Sequence, residues 1–241
     1  MTTFILGASG ATGKQLVAQL LQKDQKLKLL VRSLETIPEH WKNNQQVILI
    51  QGSISDLSVD ELAMHVKDCD AVASCLGHNL TWKGIYGEPR KLVKQAIENI
   101  CEAIHKKDSS PQPTKLVLMN TTGNRNRDLK EAVSFGEKVI FRIIRGLLPP
   151  QKDNEMAADY LRTQIGQNHT SIEWVAVRPD GLIDHDLVSE YEVYPSPIRS
   201  ALFNPGKTSR INVGHFMACL ITMDDLWNQW KGQMPVIYNK M

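Results

Sequence analysis

The chain lacks the features that would hold a small extracellular fold together. Its four cysteines, Cys69, Cys75, Cys101 and Cys219, form no CxxC and share no His/Cys spacing that would seat zinc. Neither a disulfide framework nor a structural metal is therefore expected, and free thiols suit a reducing compartment. No stretch approaches the ~18 consecutive apolar residues of a membrane span. The N-terminus has no charged segment, apolar core or small-residue cleavage site of a secretory signal, so a cytoplasmic protein is expected. Charge of one sign is missing too: 28 basic and 26 acidic residues leave a formal net charge of +2, which gives no reason to expect a nucleic-acid or membrane partner. Repeats and low-complexity tracts are absent, and SSPQP at 109–113 is too short to divide domains. With 42% hydrophobic residues over 241 positions, one unit spanning 1–241 with a sizeable core is expected.

What the chain does have is an alternation of strands and helices. Strand-like runs fall at Thr2–Leu6, Leu27–Val31, Gln46–Gln51, Asp70–Leu76, Lys115–Met119 and Ser171–Val177, with one more at Met234–Tyr238. Helical spacing marks Lys14–Gln22, Pro89–His105, Asn154–Ile165, Asn212–Met223 and Asp225–Trp230. Another helix covers SVDELAMHVKDC, where Ser58 and Glu61 have the spacing of a capping box. The basic, apolar run Phe135–Leu148, stopped by Pro149 and Pro150, reads as a helix that either lies on a membrane surface or packs on the sheet or an oligomer interface. Its place in mid-chain favours packing. Strands alternating with helices make parallel βαβ units. The expectation is an α/β, doubly wound parallel sheet of Rossmann type in three layers, with 180–210 as a loop-rich, substrate-side lobe.

FILGASGATGKQLVAQLL, residues 4–21, places Gly7, Gly10 and Gly13 between the first strand and the first helix. A glycine at each position has a mechanical reason in a dinucleotide turn: a tight strand exit, close approach of a pyrophosphate, and close packing of helix on sheet. The helix N-terminus adds amide donors. The second strand then ends in LLVRSLE. A carboxylate there would bind the ribose hydroxyls of NAD, but Arg32 and Ser33 stand in its place, a forked cation and a hydroxyl suited to a 2′-phosphate. NADP(H) is expected in preference to NAD(H), although Glu35 would oppose that phosphate if it pointed inward.

GASGATG, VRS, GSISD, DAVASCLG and WVAVRPDGL, in that order, resemble the atypical short-chain dehydrogenase/reductase superfamily. Within it they are closest in kind to the NmrA-like and biliverdin reductase B (flavin reductase) groups. TSRINVGHFMACLI is similar to a late stretch of the same groups, so the resemblance covers nearly the whole chain. It implies that Ser9, Gly10, Ala11 and Thr12 wrap the pyrophosphate and that Arg32 and Ser33 meet the 2′-phosphate. Ser53, where the family usually has Asp, and Ile54 would flank the adenine. Asp56 is left open between a turn role and a cofactor contact. Cys75, Leu76 and Gly77 would line the ribose side. Asn120 and Thr121, at the end of the fifth strand, and Arg178, Pro179 and Gly181 would lie beside the nicotinamide.

The superfamily's YxxxK, whose Lys tunes the Tyr as a proton donor, occurs nowhere in the chain. A hydroxyl follows the fifth strand only at Thr121 or Thr122. Tyr160 is followed four residues on by Gln164, and it lies one residue before Leu161 in an apolar helical pattern, so it reads as a packing residue before a catalytic one. The lysine slot of atypical relatives holds Asn154, with Lys152 two residues earlier. Trp82, Tyr191, Tyr194 and Phe203 are candidates for an aromatic pocket wall or for ordinary anchors, and His78 for a ligand contact or a structural role. Two functions stay open. One is an NADPH-dependent oxidoreductase acting on a small planar acceptor such as a flavin or quinone, and the other is a non-catalytic NADP(H) sensor or partner-binding protein of NmrA-like type. The substrate is not specified, and a homo-oligomer is compatible with the sequence.

Overall fold

The computed structural model describes residues 1–77, 90–107, 112–129, 131, 136–137, 140, 142–143 and 148–240. Its central strand, β1 (Thr2–Leu6), pairs in parallel with β2 (Lys26–Val31) on one side and β4 (Ala71–Ser74) on the other, Leu6 lying opposite Leu30 and Ser74. Outside β2 lies β3 (Val47–Gln51). Beyond β4 the parallel order continues through β5 (Thr114–Met119), β6 (Ile172–Pro179) and β10 (Val236–Asn239), and β8 (Tyr191–Tyr194) closes that edge antiparallel to β10. The chain thus runs outward from β1 to β3 and returns to β4. That reversal opens a crevice at the carboxyl ends of β1 and β4, where doubly wound sheets bind ligands.

Both faces of the sheet are covered, which is why its strands read as nearly continuous apolar runs. Ile5, Ala73 and Val117 point into a core shared with α1 (Ala11–Leu21), α6 (Arg210–Thr222) and α7 (Asp224–Trp230), where Leu16, Val17 and Leu20 pack with Val213, Phe216 and Leu220. Phe4, Val72 and Leu116 point the other way. They meet α3 (Val59–Val66), α4 (Leu92–His105) and α5 (Pro149–Tyr160) through Leu62, Val66, Ile97, Ile100 and Ala157. The architecture is a three-layer, Rossmann-like α/β fold. Among the described residues, no helix is long and apolar enough to cross a membrane.

Several boundaries differ from the sequence reading. α1 begins at Ala11 rather than Lys14, because Gly13, a poor helix former, is tolerated where the helix must lie against the turn. The Pro149–Pro150 pair opens α5 at its first two positions, where a missing N–H is harmless, and α5 gives way at Leu161–Ile165 to a π-helical turn. A one-turn helix, α2 (Glu39–Lys42), follows β2. The 180–210 segment holds three short strands. Two of them, β7 (Gly181–Ile183) and β9 (Lys207–Ser209), form a separate parallel pair, and the third is β8 of the main sheet. The Ser58 capping box is formed in full. Most of the helix expected at 135–148 lies outside the described residues.

Candidate dinucleotide site

The glycine turn fills the crevice. Gly7 adopts φ +72°, and a Cβ there would lie 2.7 Å from the Cys75 carbonyl carbon and oxygen, so the exits of β1 and β4 run against each other. A Cβ on Gly13 would lie 2.1 Å from the Gly7 oxygen. Gly10 is different: its Cβ would meet only the Gly7 oxygen, at 3.2 Å, and the rest of its surroundings are open. Gly10 caps α1 in extended conformation without a side-chain bond. Its own N–H is held by the Gly7 oxygen at 3.1 Å, while Ala11, Thr12 and Gly13 carry the amides that a helix leaves unpaired at its first turn. Ser9 is half-buried and Ala11 exposed. An open cradle lined with unspent donors at the positive end of a helix fits a pyrophosphate.

Arg32 follows the last residue of β2, exposed and without an ion pair among the described residues. Ser33 beside it accepts the Glu35 N–H at 3.2 Å, keeping its hydroxyl proton available. The Gly52 N–H donates to the Val31 oxygen at 2.9 Å and joins the ends of β2 and β3, so Ser33 and Ser53 belong to adjoining strand ends. Ile54 is 6% exposed and packs into the α3–α4 core, which leaves half-buried Ser53 as the side chain nearer the surface. Asp56 stands in a turn, its N–H bonded to the Ser53 oxygen at 2.9 Å.

Cys75 supplies backbone to the crevice and not a nucleophile, since burial pushes its thiol up to about 12. Half-buried Leu76 and exposed Gly77 continue from it. At the carboxyl end of β5, the Asn120 side chain accepts the Thr121 N–H at 2.8 Å, and the Thr121 hydroxyl accepts the Gly123 N–H at 3.2 Å. The Thr122 hydroxyl donates to Asp180 at 3.2 Å, and the Thr122 N–H to the Pro179 oxygen at 3.1 Å, which brings the ends of β5 and β6 together. Asp180 also accepts the Gly206 and Gly181 N–H groups; burial nonetheless raises its carboxyl above the ordinary range.

Other residues singled out in the sequence lie apart from the turn. Arg178 does not offer its side chain to a nicotinamide: it is fully buried, paired with buried Glu131 at 2.8 Å. Tyr160 closes α5, while Asn120 donates to the Asn154 oxygen in the middle of that helix. Tyr160 is half-buried against the core beneath α3, α4 and α5, and burial pushes its phenol up to about 12. Tyr191 bonds the His215 ring at 2.8 Å and rests against Phe216, and Tyr194 bonds Glu192, so both serve the β8 edge; Phe203 remains exposed. His78 and Trp82 lie outside the described residues. A cavity of about 240 Å³ bordered by Asn124, Arg127, Glu155 and Asp159 opens beside the β5 loop rather than in the crevice.

Sequence reasoning missed the polar network of Asn120, Asn124, Glu131, Gln151 and Arg178. Its signal was the run NTTGNRNRD placed directly after a buried strand, where polar side chains must find partners.

A family model for NAD(P)H-binding proteins matches residues 7–224. Among curated proteins no match to the sequence is found. Solved structures share the fold at low identity. A candidate NADH-flavin reductase from Streptococcus pneumoniae aligns at 16% identity with a TM-score of 0.69, covering 100% of both chains. A short-chain dehydrogenase/reductase from Veillonella parvula in complex with NADP aligns at 16% and 0.68, covering 99% of this chain and 94% of that one. The anaerobillin reductase ChuY from Escherichia coli aligns at 15% and 0.68, covering 99% and 97%. With the glycine turn, the crevice and a match spanning Gly7 to Asp224, the chain belongs to the NAD(P)H-binding family.

Proposed function

We propose that this chain is an NADPH-dependent reductase acting on a small planar acceptor such as a flavin or quinone. The observation that carries the reading is the pairing of an open glycine cradle with Arg32 and Ser33 at the end of β2, at a site that lacks a Tyr/Lys acid pair among the described residues. The N–H groups of Ala11, Thr12 and Gly13 hold the pyrophosphate; Arg32 and Ser33 hold the 2′-phosphate and select NADP(H) over NAD(H). Ser53 meets the adenine end, and Leu76, Gly77, Asn120, Thr121 and Pro179 border the nicotinamide half. The bound dinucleotide supplies a hydride, and an acceptor that takes its proton from water asks the protein only for orientation. Tyr160, spent in packing, takes no part. The NADP complex of one fold relative and the reductase descriptions of two others support this reading.

The missing acid pair also favours a second reading, an NADP(H) sensor without turnover. A panel of flavins, quinones and simple ketones, followed by loss of NADPH absorbance, separates them. The reductase oxidises NADPH with flavins or quinones and not with ketones, whose alkoxide needs an acid, and Tyr160→Phe stays within about threefold of wild type because no phenolic proton is used. Stoichiometric binding with silence across the panel favours the sensor, and a thousand-fold loss in Tyr160→Phe overturns the account of that tyrosine.

A further inference from the structure

We propose that Asn124, anchored by Arg178, is a positioning residue that fixes the Thr121 hydroxyl at the carboxyl end of β5, facing the nicotinamide half of the site; the inference rests on the dinucleotide reading above. Arg178 is 0% exposed and binds four acceptors on three stretches of chain. Its Nε donates to the Met234 oxygen at 2.6 Å, Nη1 to the Asn124 oxygen at 2.8 Å, and Nη2 to Glu131 Oε1 at 2.8 Å and the Pro195 oxygen at 3.1 Å. A planar guanidinium directs these donors rigidly, so the backbone of Asn124 is held against β6 and not only within its own loop.

The Asn124 side chain carries that constraint onward. Residue 124 is 1% exposed; its Nδ2 donates to Asn120 Oδ1, and its Oδ1 accepts Gln151 Nε2 at 2.9 Å. Asn120 donates its own Nδ2 to the Asn154 oxygen at 3.0 Å. With a donor facing Oδ1 and a carbonyl facing Nδ2, only one orientation of the Asn120 amide satisfies both neighbours. In that orientation Oδ1 also accepts the Thr121 N–H at 2.8 Å. Thr121 Oγ1 then accepts the Gly123 N–H at 3.2 Å, which leaves the hydroxyl proton of this half-buried side chain free to donate. A side chain that merely filled the loop would not need to donate. Asn124 must donate, because an acceptor in its place repels Asn120 Oδ1 and turns the amide toward the wrong partner.

Asn124→Asp tests this at constant volume, with Asn124→Ser, which keeps a donor, as the rescue variant and Thr121→Val as the reference for a lost hydroxyl. Amide hydrogen exchange read by NMR on the free protein should show the Thr121 and Gly123 amides exchanging at least tenfold faster in Asn124→Asp, near wild type in Asn124→Ser, and unchanged at Phe4 and Leu16 in both. NADPH titrations of Asn124→Asp and Asn124→Ser should give affinities within threefold of wild type, because the phosphate contacts are elsewhere. The fluorescence of the bound reduced nicotinamide in Asn124→Asp should match that in Thr121→Val. Wild-type exchange at Thr121 and Gly123 in Asn124→Asp overturns the positioning role, as does faster exchange spread evenly through Phe4 and Leu16. A wild-type protein that binds no NADPH overturns the dinucleotide reading, and the exchange pattern still decides whether Asn124 orders the loop.

Discussion

The carboxylate of Asp153 accepts the backbone N–H of Val93 at 2.8 Å, and of Lys94 at 3.0 Å, so α4 is capped by a residue of α5 lying 60 positions later. Lys91, at the cap position itself, makes no capping bond through its side chain. Asp153 is 1% exposed, so its removal leaves helix donors without water to replace it. Asp153→Ala should lower unfolding stability by about 1–3 kcal/mol in urea titration. Asp153→Asn, which keeps an acceptor oxygen, should lose less. Equal stability of the alanine variant and wild type would remove the cap from the account.

The three glycines of the turn should fail in different ways. Gly13→Ala sets a Cβ 2.1 Å from the Gly7 oxygen, a backbone atom that cannot step aside, so the variant should lose stability before any ligand is considered. Gly10→Val meets only one atom, at 3.2 Å. It should fold nearly as well as wild type and bind no NADPH, because the side chain occupies the space a pyrophosphate enters. Circular dichroism melts paired with calorimetric titration check both. A folded Gly10→Val protein with wild-type NADPH affinity would place the phosphates elsewhere.

Burial, with Lys23 as a lesser cause, holds the His215 imidazole below its ordinary pKa while Nδ1 faces the Tyr191 hydroxyl at 2.8 Å. Between the lowered folded value and about 6.5 the unfolded chain binds more protons, so this residue's contribution to stability rises with pH and is lost as pH falls through that window. His215→Gln does not titrate. Urea midpoints measured from pH 7.5 to pH 5 should therefore fall more steeply for wild type than for His215→Gln. Parallel pH profiles would show that His215 is not held neutral by the fold.

The parts of this molecule legible in the sequence are those set by local pattern. The apolar runs of β1, β2 and β5, the Ser58–Glu61 box and the glycine turn follow from short-range rules, and the turn's position between a strand and a helix located the crevice. Tyr160, read as a packing residue from its place beside Leu161, lies half-buried against the core. What was not legible depends on long-range closure. The resemblance carried by WVAVRPDGL put Arg178 beside the nicotinamide, yet the partners that claim its guanidinium lie 56, 54 and 47 positions away. The start of α5 was hidden because Pro149 and Pro150 end one helical pattern as readily as they open another. The strands of 181–209 are too short for periodicity to mark them.

The proposed selection of the phosphorylated dinucleotide rests on Arg32, exposed at the end of β2 and unpaired among the described residues. Calorimetric titration of wild type and Arg32→Ala with NADPH and NADH tests it most directly. The account predicts that wild type prefers NADPH, and that Arg32→Ala weakens NADPH binding by about 1.5–3 kcal/mol while leaving NADH nearly unchanged, as expected for loss of a charge-assisted contact to the 2′-phosphate. Equal wild-type affinities for the two dinucleotides, or an equal loss of both in Arg32→Ala, would contradict it.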